Sequence, residues 1–189
     1  EYNGNSLNEL TSLLFNVKQN LSAEVAYNLL QKIPQSQRAS GSISYAEASI
    51  LLDLNRYPEV FGVLQRIWKA DGMTPEFSQE ALHAFLSEFV SKDLDLAPFL
   101  PIYKEFLATY PTNFDAHLDL QSLLYMLDKH SERHAQLVRM TELFPTGHPE
   151  LWNGLFQDLL SRGAYDELYK YFPQALKQYP HEGSLFLFK

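Results

Sequence analysis

Along this 189-residue chain, apolar residues recur at three- and four-residue steps in short runs, each broken by a small polar turn. That period marks one face of an α-helix, because residues three and four apart share a face. The clearest instance is the stretch 149–180. Trp152, Leu155, Phe156 and Leu159 form one stripe, and Tyr165, Leu168, Phe172, Ala175, Leu176 and Tyr179 form a second. Between them, Arg162 and Gly163 supply the charge and the backbone freedom expected where a helix ends. The pattern predicts two antiparallel helices, with Pro173 causing a local kink in the second.

The same grammar runs upstream. Segment 43–70 has Ala48 and Leu51, a turn at Asn55-Arg56, then Tyr57, Val60, Leu64 and Ile67. Segment 75–110 has Leu82, Phe85 and Phe89, a turn around Ser91-Lys92-Asp93, then Phe99, Tyr103 and Phe106, with Pro98 and Pro101 where its second helix should begin. Segment 115–144 has Leu118, Ser122 and Tyr125, then Leu137 and Met140; the opening segment 6–33 has Leu7, Leu10 and Leu14, then Val25, Leu29 and Leu30. Proline follows an aromatic residue at Tyr110-Pro111, Phe144-Pro145 and Tyr179-Pro180, at spacings of 34 and 35 residues. Proline lacks an N–H and clashes with the preceding turn, so regular prolines imply regular helix ends. Five hairpins are predicted in a single domain spanning 1–189, with 181–189 as the first turns of a further helix and Gln35 to Gly41 as the longest linker. A repeat array that stops mid-unit leaves an apolar face uncovered, so the chain is expected to be part of a longer one.

The unit 149–180 resembles the tetratricopeptide repeat (TPR), a helical hairpin of about 34 residues. Trp152, Leu155, Leu159, Gly163, Tyr165, Phe172, Ala175 and Pro180 stand at that family's spacing. Phe156 and Leu168 replace smaller residues, which should widen the gap between the paired helices. Segment 43–70 matches in Ala48, Leu51, Tyr57 and Ile67, and the others match in outline. The resemblance implies an all-α fold, an α-solenoid of about five TPR-like antiparallel helical hairpins wound as a right-handed superhelix. The first helix of each hairpin, the A helix, would line a concave groove that holds a peptide or a partner helix. Carried onto this chain, it puts Tyr45, Ser49, Asp53, Glu80, His83, Ser87, Asp119, Leu123, Met126, Asn153 and Gln157 on that groove. The set is polar with acidic points, which favours a neutral or basic partner segment. Some TPR domains clamp a terminal carboxylate with Lys, Arg and Asn; Asn153 alone has a suitable type here, which disfavours such a clamp.

Composition narrows the function classes. With 46% hydrophobic and 20% charged residues the chain should fold, and 13 Phe, 11 Tyr and 2 Trp suit several packed helical interfaces. A net charge of −8 repels phosphate backbones and anionic headgroups, so nucleic acid is not an expected partner. The absence of cysteine excludes disulfides and thiolate metal sites. No apolar run is long enough to span a bilayer, and EYNGNSLNEL has no signal-peptide character. A soluble chain is expected, with the cytoplasm ahead of the periplasm or the exterior.

Candidate chemistry is sparse. His130 and His134 have a zinc-compatible spacing, with Asp128 and Glu132 nearby. No third ligand is placed, so they are read as an exposed helix start with Ser131 as N-cap. His117, His148 and His181, at intervals of 31 and 33 residues, are read as repeat-derived surface histidines. Asp93 with Asp95, and Glu76 with Glu80, look like acid–base pairs but fall at predicted helix N-termini, where the helix dipole favours negative charge. The aromatic second helices are read as core rather than as the wall of a small-molecule pocket. No phosphate loop, nucleophile elbow or cysteine nucleophile is present. The expectation is therefore a non-catalytic protein–protein interaction scaffold without cofactor or metal. Two other readings stand beside it: a substrate-docking or regulatory arm of a larger multidomain enzyme, and self-association through the C-terminal end at Phe186 and Phe188.

Overall fold

The computed structural model describes residues 4–70 and 72–188, with side chains from residue 7 onward. Its regular elements are helices: α1 Gly4–Asn20, α2 Ala23–Leu30, α3 Gln35–Arg38, α4 Gly41–Asp53, α5 Tyr57–Ile67, α6 Pro75–Ser91, α7 Phe99–Thr109, α8 Phe114–Met126, α9 His130–Leu143, α10 Glu150–Ser161 and α11 Tyr165–Gln178, then a 3₁₀ segment Gly183–Phe188. Lys189, included in the predicted further helix, lies outside the described residues. Two compact units divide the chain, one ending at Ala116 and one starting at His117.

One turn recurs in both units. Asn55, Asp93, Asp128 and Gly163 adopt φ of 58°, 53°, 54° and 68°. This left-handed region is disfavoured for most side chains and tolerated best by Gly, Asn and Asp. At each, the next N–H reaches back five residues: Arg56 to Leu51, Leu94 to Phe89, Lys129 to Leu124 and Ala164 to Leu159, at 2.9–3.0 Å. These bonds satisfy helix-end carbonyls that would otherwise lack a partner. The aromatic–proline stops are equally regular: Tyr110, Phe144 and Tyr179 cap α7, α9 and α11, each donating its N–H to the carbonyl four residues back. The following proline offers no N–H for the helix to continue.

In the first unit, Leu14, Ala26, Leu30, Ile33, Ile43, Ala46 and Ile50 form a core cluster across α1, α2 and α4. Val60, Leu64 and Ile67 of α5 are buried, as are Leu82, Phe85 and Phe89 of α6 and Phe99, Ile102 and Phe106 of α7. Phe61, Phe89 and Phe99 meet at centroid distances of 5.0–5.2 Å, and Trp68 meets Phe106 edge-on at 5.7 Å. Full burial of such a side chain contributes about 1.5–3 kcal/mol, so these rings help hold α5, α6 and α7 together. In the second unit, Trp152, Leu155, Phe156, Leu159, Leu168, Ala175 and Leu185 cluster with Leu137. The oversized Phe156 and Leu168 are both buried there. Helix α11 runs through Pro173, which leaves the Tyr169 carbonyl without its helical donor; the Tyr169 side chain is exposed.

Several local expectations change. Val25 and Tyr165 are exposed, not core. The predicted linker contains a one-turn helix, α3. On α8, Ser122 and Tyr125 are exposed, while Ala116, His117, Leu120, Leu123 and Leu124 are buried. Apolar residues surround that helix, so spacing alone selected the wrong stripe. Helix α9 starts at His130 with Lys129 as its cap residue, so Ser131 is not the N-cap. The left-handed turn at Asp128 fixes that start.

Candidate partner-binding face

A cleft of about 170 Å³ lies in the first unit, lined by Lys18 of α1, by Tyr45, Ser49, Leu52 and Asp53 of α4, and by Ala84, Phe85 and Glu88 of α6. Tyr45, Ser49 and Asp53 are four residues apart, so one helical stripe faces the opening. Helix α4 buries Ile43, Ala46 and Ile50 in the core, and this packing fixes which stripe is left outside. The Tyr45 ring meets Phe15 and Phe77 at 6.3 Å and Phe85 at 5.4 Å, an aromatic floor shared by α1, α4 and α6.

Lys18 crosses this floor. Its Nζ donates to Ser49 Oγ at 2.7 Å and sits 2.8 Å from Asp53 Oδ2. The Lys18 side chain is 17% exposed and that of Asp53 38%, so water weakens the pair and its worth is about 1 kcal/mol or less. The Asp53 charge is thus already matched within the chain. Glu88 pairs at 3.6 Å with Lys92 on its own helix. The cleft offers aromatic faces with a few hydrogen-bonding groups.

Of the groove residues the sequence suggested, this cleft brings together Tyr45, Ser49 and Asp53. Glu80, His83 and Ser87 are exposed on α6, but the cleft takes Ala84 and Glu88, which continue the stripe of Glu80 at four-residue steps. In the second unit, Leu123 is fully buried and Asp119 is 8% exposed, so neither presents its side chain to a partner. Met126 and Gln157 are exposed. Asn153 is occupied, its Nδ2 donating to Ser184 Oγ at 2.8 Å within the C-terminal segment, while its Oδ1 is buried without a partner. Sequence reasoning missed Lys18, Leu52, Ala84, Phe85 and Glu88. Lys18 was visible as the next step of the Leu10–Leu14 stripe, and Glu88 as two steps beyond Glu80.

The candidate chemical groups have structural partners. His134 Nδ1 lies 3.2 Å from Asp158 Oδ2, and its Nε2 lies 3.4 Å from Glu167. Asp158, only 2% exposed, also accepts from Arg133 at 3.1 Å and from Arg162 at 2.9 and 3.1 Å. Gln121, with its amide oriented to match, accepts from Arg133 at 2.7 and 3.0 Å. This polar network joins α8, α9, α10 and α11, with its carboxylate satisfied by charged donors. No group of three or more His, Cys, Asp or Glu among the described residues is placed to hold a metal ion. His117 is fully buried, with its Nδ1 2.7 Å from Gln136 Nε2, which corrects its reading as a surface residue. Asp93 occupies a helix C-terminal left-handed position rather than an N-terminus, and Asp95 accepts from the Ala97 N–H at 2.9 Å in the loop that follows. Glu76 does sit in the first turn of α6. The Arg56 guanidinium is held above its ordinary pKa, first by its hydrogen bonds to Glu59 and then by Tyr27, over whose ring it lies at 4.4 Å. No helix among the described residues is long and apolar enough to cross a membrane.

No family model and no curated protein matches the chain. Solved structures do. The MamA protein aligns over 93% of this chain and 93% of its own at 14% identity, with a TM-score of 0.53. MamA from AMB-1 aligns over 98% of this chain and 97% of its own at 12% identity and a TM-score of 0.52. YrrB, a TPR protein with an unusual peptide-binding site, aligns over 94% of this chain and 87% of its own at 15% identity and a TM-score of 0.49. At these identities the likeness concerns the fold alone, which among the described residues is all-α and built from successive helices joined by short turns.

Proposed function

We propose that this chain is a non-catalytic interaction scaffold that holds a peptide or helical segment of a partner protein against the A-helix face of its first unit. The observation that supports this reading is the cleft between α1, α4 and α6, with Tyr45, Ser49 and Asp53 on a single stripe. Its aromatic floor gives a bound segment apolar area to cover, and Ser49, Asp53 and Glu88 give it polar groups to engage. A basic side chain on the partner would compete with Lys18 for Asp53, which favours a neutral or basic segment.

Panning a displayed random-peptide library tests the reading. Peptides selected on the native chain should be lost when Ser49→Trp fills the cleft, and weakened about tenfold or more by Tyr45→Ala, which removes the ring that meets Phe15, Phe77 and Phe85. Both variants should keep the native helical circular dichroism. Selected peptides that bind native and Ser49→Trp chains equally would contradict the proposal.

A further inference from the structure

A second cavity of the first unit shares no lining residue with the cleft. It measures about 390 Å³ and is lined by Tyr57, Pro58 and Phe61 of α5, Phe89 of α6, and Leu94, Asp95 and Pro98 of the α6–α7 connection. Its floor is aromatic: Phe89 is buried and meets Phe61 at 5.0 Å and Tyr57 at 5.6 Å. The Tyr57 hydroxyl is directed to Asn55 Oδ1 at 2.6 Å, which leaves the ring as its contribution to the wall. The remaining polar lining group is the exposed Asp95 carboxylate. One of its oxygens accepts from the Ala97 N–H, and no cation among the described residues pairs with it. Asp93, also exposed, adds negative charge two residues away.

An apolar cavity with one uncompensated carboxylate at its rim matches a ligand that carries an apolar group with a cation beside it. The volume is near the lower end for ligand pockets, which suits one large side chain better than an enclosed small molecule. Pro58 and Pro98 also line the cavity and add apolar surface for a bound backbone to lie on. We propose that this cavity anchors a short segment of a partner protein through a Leu- or Phe-sized side chain next to a Lys or Arg that pairs with Asp95. This site lies on the turn side of the hairpins and stands or falls independently of the cleft.

The test is an NMR titration of the chain with a capped Gly/Ser hexapeptide carrying a central Leu-Lys pair. Shifts are expected at Phe61, Leu94 and Asp95. Replacing the peptide Leu by Ser should weaken binding about tenfold or more. Asp95→Asn preserves the oxygen that accepts from Ala97 but removes the charge. It should weaken the Leu-Lys peptide about three- to fivefold, the strength of one exposed ion pair, and leave a Leu-norleucine peptide unchanged. Leu94→Trp, which fills the cavity, should abolish binding while the circular dichroism stays native. The proposal is overturned if the Leu-to-Ser peptide binds as well as the original, if Asp95→Asn affects both peptides alike or neither, or if phenethylammonium alone binds as tightly as the peptide.

Discussion

Helices α4 and α10 play the same part in their hairpins, yet their outer stripes meet different fates. On α4, Tyr45, Ser49 and Asp53 open onto a cleft. On α10, Asn153 is hydrogen-bonded to Ser184, and Phe156 meets Phe188 at 5.4 Å, because the segment Gly183–Phe188 folds over that helix. The contrast extends to polar groups. The cleft holds one partly exposed lysine–aspartate pair, whereas the second unit sinks Asp158 among two arginines and a histidine. A shared repeat therefore does not give every A helix a free face. What packs on the stripe decides whether it stays open.

The contrast yields predictions of decreasing size. Trp152→Ala should cost about 3–5 kcal/mol, since Trp152 is buried at the centre of the second unit's core and its Nε1 donates to Gln178 at 2.8 Å. Trp68 is then the remaining tryptophan and reports on the first unit. Its urea midpoint by fluorescence should fall less than the midpoint by circular dichroism; equal shifts would join the units into one cooperative block. Asp158→Ala should cost about 3 kcal/mol in urea unfolding, because it leaves two arginines facing each other without their carboxylate. A loss under about 1 kcal/mol would mean that water serves them as well. Lys18→Met should change stability by about 1 kcal/mol or less but should tighten a selected basic peptide several-fold, by releasing Asp53. Weaker binding would instead make Lys18 itself a partner contact. Asn153→Ala removes one hydrogen bond and one unsatisfied acceptor together, so stability should move by only about 0.5 kcal/mol and peptide affinity not at all.

The helices and their ends were legible because local chemistry encodes them. Asn55 and Gly163 announced two of the left-handed turns, and the Tyr-Pro and Phe-Pro pairs announced the stops. The faces were legible where one stripe is clearly apolar, as on α6 and α10, and illegible on α8, where apolar residues occur on all sides. There Leu123 was assigned to a groove although it is fully buried, and Tyr125 to the core although it is exposed. Tertiary pairing was the least visible. Nothing near Lys18 in sequence points to Asp53, and nothing near Asp158 points to His134. At the C-terminus, Leu185 and Phe188 pack inward while Phe186 and Leu187 stay exposed, Leu187 by 85%. A change at Phe188 would therefore disturb the core as well as any contact between copies.

The most direct test of the account is an NMR map of a library-selected peptide bound to the native chain. Chemical-shift changes should concentrate at Lys18, Tyr45, Ser49, Asp53, Ala84 and Glu88, with little change at Asn153 and Gln157. A map centred on α10, or one that leaves the α4 stripe unshifted, would contradict the claim that the open A-helix face is where this protein binds its partner.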